Sequence, residues 1–310
     1  MRLSSFQRLA IATTAITYLL ILVGGLVRAS GAGLGCPDWP RCFGGWIPPM
    51  SVADLPAAFD PAQFNPALMW TEYLNRLLGV TVGLFIFATL VSAWRHHRHT
   101  PRVFRPILAA FLLTGFQGWL GGMVVAQELA GWIVTAHMIV ALVIVALLIY
   151  ATFYAVAGTE VAEGVGAARR LLGRATYAVT GVMLVQVALG AQVREAIDVG
   201  LEKVARADVI EALGLVHLLH RDGAVLVLGL VVLLWFRAWQ AHRHEPALMR
   251  AAWVVVGIVA AQIATGAVLS YFAVPPAAQV AHLTLAALLL GALMVLALLA
   301  YRLPEPPAAA

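Results

Sequence analysis

The chain has 310 residues, of which 62% are hydrophobic and 11% charged, with a formal net charge of +5. A soluble domain carries about 25% charged residues, so this composition excludes a water-facing surface of ordinary size and makes lipid the main solvent. The basic residues are nineteen Arg and Lys203, and in such a chain they report orientation rather than nucleic-acid binding.

Eight stretches have the roughly 20 mostly apolar residues that a membrane-crossing helix needs: residues 8–28, 70–94, 106–126, 131–156, 172–194, 211–236, 250–272 and 277–301. The first, running from Leu9 to Val27, is too long for the apolar core of a cleaved leader and has no small-x-small cleavage site after it, so it reads as a retained helix. Helices are the expected solution because unpaired backbone amides in hydrocarbon cost several kcal/mol each. One set of connecting segments carries Arg2, Arg8, Arg95, Arg98, Arg102, Arg105, Arg169, Arg170, Arg174, Arg237, Arg243, Arg250 and Arg302; the opposite set carries Arg28, Arg41, Arg194, Lys203 and Arg206. The richer set belongs in the cytoplasm. Both termini are then cytoplasmic, and the segments 29–69 and 195–210 face outward.

Cys36 and Cys42 lie in the first outward loop. In a bacterium that is the oxidising side, where a disulfide is the expected state of so close a pair. Its role is either a staple for a Pro/Trp-rich loop or a redox-active pair at a substrate entrance.

The chain repeats itself. Asn75-Arg76, Gln117, Gly121 and His137 recur as His220-Arg221, Gln262, Gly266 and His282 at a common shift of 145, and Glu72 falls on His217. Gly24 and Arg28 recur as Gly190 and Arg194 at the larger shift of 166, so the first outward loop is the longer one. Four spans return the chain to its starting side. The expected architecture is therefore an all-α integral membrane protein of eight transmembrane helices, built as two four-helix bundles over 1–157 and 158–310. A parallel repeat of this kind relates its halves by a pseudo-twofold along the membrane normal.

Ionisable residues inside spans are rare and usually functional. Here they are Glu72, Arg76, His137, His217, His220, Arg221, Asp222 and His282, with Asn75 as a polar companion. Neutral imidazoles bind zinc, copper or heme iron. Zinc usually takes three or four protein ligands, whereas His220 and His282, on alternate spans of one unit, suit the two axial positions of a heme. Arg76 and Arg221 are candidates for the heme propionates, and His217 for a neighbour of the site. The bland alternative is that each histidine bonds helix to helix. His96, His97, His99, His242 and His244 sit among arginines and read as solvated loop. Gly115, Gly118, Gly121 and Gly122 read as close-packing positions.

At these residues the sequence resembles the heme A synthase family, which oxidises heme O to heme A for terminal oxidases. The resemblance is carried by the run from Gly24 to Cys42 and by Glu72-Tyr73-Leu74-Asn75-Arg76, His137, His220-Arg221 and His282, and it covers essentially the whole chain. It implies a heme b held by His220 and His282 that relays electrons. It also implies a substrate heme O in the first half, with Glu72 and His137 at its site, and first-loop cysteines that assist heme handling. The implied partners are membrane lipid, a quinol or other electron donor, the heme O synthase and the proteins of terminal oxidase assembly, in a bacterial cell membrane. One position departs from the family pattern: Asn75 stands where a second-span histidine belongs. It is a constructed substitution, a natural variant with a five-coordinate substrate iron, or the mark of a different heme task. The rival functions are a b-type membrane electron carrier and a heme transporter or chaperone.

Overall fold

The computed structural model describes residues 3–158, 166–201, 203, 205, 208–210 and 213–302; Arg2 and Arg206 of the charge pattern lie outside them. Eight long helices account for most of these residues: α1 (Ser5–Ala29), α2 (Pro66–His97), α3 (Pro101–Ala126), α4 (Gly131–Ala157), α5 (Ala167–Leu201), α6 (Gly214–His242), α7 (Pro246–Tyr271) and α8 (Pro276–Arg302). Each is long and apolar enough to cross a membrane.

Their starts are written locally. Ser4 and Gln7 form a reciprocal capping box at α1, the Ser4 hydroxyl accepting from the Gln7 amide at 3.2 Å and the Gln7 side chain from the Ser4 amide at 2.8 Å. Asn65 caps α2 through the amides of Ala67 and Leu68. Helices α2, α3, α7 and α8 all begin on proline, whose missing N–H costs nothing in a first turn.

Consecutive helices pack against each other within each half, and α1–α4 and α5–α8 contacts close two four-helix rings. The halves meet through α1·α8, α4·α5 and α4·α8. This neighbour pattern is unchanged when every helix is exchanged for the one four places along. The seam is filled rather than open: the largest apolar cluster joins Leu142, Val145 and Ile149 of α4 to Val179 and Met183 of α5 and to Leu289, Leu290 and Leu293 of α8.

The structure departs from the sequence reading in three places. Helix α5 runs on to Leu201, into what was expected to be loop. Asp198 there pairs with Arg194 one turn back, and Ile197 is buried against Val209, Leu213 and Val274, so the added turns have both an ion pair and an apolar face. His242 is not solvated: α6 continues to it and buries it at 4% exposure. Gly115 and Gly118 are exposed and would offer an added Cβ open space within 4 Å. Close packing does hold at Gly122, where a Cβ would lie 3.0 Å from the Trp39 ring, and also at Gly25, where one would lie 3.4 Å from Leu283 across the α1–α8 seam.

Gly25→Leu is therefore expected to destabilise the protein by about 1–3 kcal/mol through overpacking, read as a lower midpoint of thermal unfolding in detergent. Gly257→Leu, at a position with nothing within 4 Å, should leave that midpoint unchanged or slightly raised.

Candidate functional site

In the second bundle His220 projects from α6 and His282 from α8, with ring centres 6.2 Å apart and planes inclined at 69°. Imidazole nitrogens sit about 2 Å from a bound metal, as in zinc sites, and about 1 Å from their own ring centre given bonds of about 1.3–1.4 Å. Two rings gripping one metal from opposite sides thus have centres about 6 Å apart, which the observed pair matches. Among the described residues no group of three or more His, Cys, Asp or Glu could hold a metal ion.

Each ring rests on a glycine of the preceding helix. A Cβ at Gly190 of α5 would lie 3.0 Å from His220 Cε1, and one at Gly266 of α7 would lie 3.3 Å from His282 Cε1. The Thr265 hydroxyl is 3.0 Å from His282 Nδ1. That contact orients the ring and leaves its other nitrogen for a ligand, as outer partners of metal-binding histidines do. Gln186 of α5 donates to the His220 carbonyl at 2.8 Å.

The first bundle repeats the seats with different occupants. A Cβ at Gly121 of α3 would lie 3.7 Å from His137 Cε1, and one at Gly24 of α1 would lie 4.0 Å from Asn75 Oδ1. Gln117 donates to the His137 carbonyl at 2.8 Å. Leu120 stands at the place equivalent to Thr265, and the buried Nδ1 of His137 has no partner among the described residues; neither has Asn75 Oδ1. A buried polar atom without a partner is costly. His220 Nδ1 in the second bundle is likewise buried without a partner among the described residues.

Glu72 and Arg76 of α2 bond each other and the first loop. Glu72 is buried, and its Oε2 accepts from the Cys36 amide at 2.8 Å. Arg76 donates from Nε to Glu72 at 3.1 Å, from one terminal nitrogen to the Asp38 and Arg41 carbonyls, each at 2.7 Å, and from the other to Glu72 and the Cys36 carbonyl. These five bonds use all five guanidinium N–H groups. The loop they hold carries the Cys36–Cys42 disulfide. It packs Gly35 on Leu68 and Met69 of α2, Trp39 on Gly122 of α3, and Gly33 on Leu129. The loop thus lies across one end of the first bundle. In the second bundle the equivalent His217 is half-buried, and Arg221 is 62% exposed and pairs with its neighbour Asp222 at 3.2 Å.

The sequence reading did not single out Thr265 or Gln186. Their repeat equivalents, Leu120 and Leu20, are apolar, so self-comparison hides them. The glycine seats were visible as repeat positions but not as partners of the histidines.

The family described as cytochrome oxidase assembly protein matches residues 7–294. A protein named heme A synthase from Methylobacterium radiotolerans is 33% identical over 95% of this chain and 90% of its own length. One of the same name from Methylobacterium nodulans is 28% identical over 89% of this chain and 87% of its own length. A third, from Shewanella oneidensis, is 33% identical over 44% of this chain and 42% of its own length.

Arg76→Gln removes the charge that neutralises buried Glu72 and frees three loop carbonyls. It should destabilise the disulfide loop by about 3 kcal/mol, seen as faster amide exchange across residues 36–42 with the exchange of α6–α8 unaltered.

Proposed function

The chain belongs to the cytochrome oxidase assembly protein family, and from that membership we propose that it is a heme A synthase of a bacterial cell membrane, oxidising a ring methyl of heme O to the formyl group of heme A. The observation that carries the proposal is the His220–His282 pair, whose 6.2 Å ring separation suits one heme iron. The relatives named heme A synthase support the reaction.

In this reading the half formed by residues 158–310 would be the resident heme b half, with His220 and His282 holding its iron and His217 and Arg221 beside the mouth of the site. The half formed by residues 1–157 receives heme O against His137. The unchanged neighbour pattern of the helices supports a pseudo-twofold between the halves, and the distribution of arginines supports cytoplasmic termini. When bound, heme b would supply one-electron chemistry whose potential its histidine ligands tune. The residues of the chain do the rest. Thr265 orients the His282 ring, the glycine seats admit the rings, and Glu72 with Arg76 keeps the disulfide loop over the first bundle. Asn75 has no imidazole to offer an iron, so His137 is the single strong ligand there and one face of the substrate stays open. The reaction places the protein after a heme O synthase and before terminal oxidase assembly, with a quinol or other donor linked to the second bundle.

Asn75 is also the one observation that favours a second reading, a b-type cytochrome that passes electrons without altering heme. Hemes extracted from protein purified out of cells that make heme O separate the two. Heme A or its hydroxylated precursor is the expected product; heme b alone, reduced rapidly by quinol, would establish the carrier instead.

His220→Ala and His282→Ala should each abolish the low-spin heme spectrum of the second bundle. An unaltered spectrum in both variants would remove the ligand assignment. Asn75→His should convert the first site from a high-spin to a low-spin spectrum when heme is loaded, and an unresponsive spectrum would show that this position does not face iron.

A further inference from the structure

The Thr265 hydroxyl stands between its own helix and the ring of another. It lies 3.0 Å from the Ala261 carbonyl and 3.0 Å from the Gln262 carbonyl, both one turn back on α7, and 3.0 Å from Nδ1 of His282 on α8. A hydroxyl has one proton to donate and lone pairs with which to accept. A threonine inside a helix donates that proton to a carbonyl of the preceding turn, which leaves its oxygen to accept from the ring. The ligand role of the histidine agrees with that direction. An imidazole that holds a metal through Nε2 keeps its proton on Nδ1, and Nδ1 is the nitrogen beside Thr265.

The first bundle shows that the frame closes without this hydroxyl. There α3 sets Gly121 against His137 as α7 sets Gly266 against His282, yet Leu120 stands where α7 has Thr265. Nδ1 of His137 is buried and has no partner among the described residues. Burying an imidazole on a glycine seat therefore does not require the hydroxyl, and what Thr265 adds is its effect on the ring. A hydrogen bond accepted from the outer nitrogen of a ligating histidine makes the other nitrogen a stronger donor to the metal. A stronger donor favours ferric over ferrous iron, because the ferric ion carries the greater positive charge. Outer hydrogen bonds of this kind are among the means by which a protein sets the potential of a heme.

Resting on the proposed function, we propose that Thr265 is a positioning residue that lowers the reduction potential of the heme held by His220 and His282, through the bond its oxygen accepts from Nδ1 of His282. The chain thereby sets how readily the second-bundle iron takes an electron from a side chain that never touches the iron.

The test is a redox titration of full-length protein purified in detergent with its heme, followed at the low-spin absorbance. Thr265→Val keeps the shape of the side chain and removes the hydroxyl. Its midpoint should move to a more positive potential, a shift of about fivefold toward the ferrous form, the effect of one net hydrogen bond. Thr265→Ser restores a hydroxyl and should return the midpoint toward that of the wild type. Thr284→Val removes a hydroxyl two residues from His282 that donates to the Val280 carbonyl at 2.8 Å, and its midpoint should stay in place. The Gln262 backbone carbonyl, which also bonds the His282 ring, is kept in every variant, so the shift reports the Thr265 hydroxyl. If Thr265→Val does not accumulate, Thr265→Ala makes the same comparison. A midpoint that stays in place without the hydroxyl, that moves as far in Thr265→Ser, or that moves as far in Thr284→Val overturns the proposal and leaves the histidine pair standing. Folded wild type with no low-spin heme overturns the histidine pair, and this proposal with it.

Discussion

A polar side chain inside a lipid-embedded bundle has no water to turn to, and that constraint organises the interior of this protein. Each of the four central polar positions is met by a glycine on the preceding helix: Asn75 by Gly24, His137 by Gly121, His220 by Gly190 and His282 by Gly266. Seat and occupant always come from consecutive helices, so every antiparallel hairpin is half of a site. Closing two hairpins into a ring, through α1·α4 or α5·α8, brings two occupants toward one interior. A side chain larger than hydrogen at a seat such as Gly190 would meet the ring at 3.0 Å and push it toward whatever the ring has to hold.

The halves share this frame but not its fittings. In the second bundle both occupants are imidazoles, and Thr265 fixes one of them. In the first bundle one imidazole is replaced by the Asn75 carboxamide, and Leu120 leaves His137 without the corresponding hydroxyl. A bound heme would be gripped from both sides in one half and from one side in the other. That difference suits the proposed division between a resident cofactor and a substrate that must arrive, react and depart.

Much of this was legible in the sequence because lipid simplifies the code. Eight apolar stretches read directly as eight helices, and the fixed shift of 145 marked His220 and His282 before their separation was known. The Cys36–Cys42 bond followed from short spacing in a loop that the arginine pattern assigns to the outward side. What escaped the sequence was long-range or asymmetric. Nothing local shows that Glu72 will accept from the Cys36 amide, because that contact depends on how the loop folds back on α2. The extension of α5 to Leu201 escaped because its charged face resembles a loop until Arg28, from another helix, meets Asp198. Gly115 and Gly118 resembled packing glycines only because small residues were counted without knowing which face of α3 they occupy.

The two equivalent arginines, Arg76 and Arg221, show how a single insertion separates the halves. The segment between Gly24 and Asn75 is longer than that between Gly190 and His220, and the added length forms the disulfide loop. A loop packed on helices carries carbonyls that water no longer reaches, and each needs a donor. Arg76 satisfies the carbonyls of Cys36, Asp38 and Arg41, so the loop and the arginine fix each other. Arg221, at the equivalent place, is exposed beside Asp222. The end of the first bundle is covered as a result; at the equivalent positions of the second, among the described residues, His217 is half-buried and Arg221 exposed. In the proposed function the covered half is the one in which an iron has a free face, and there the loop keeps solvent and stray ligands from the position that Asn75 leaves open.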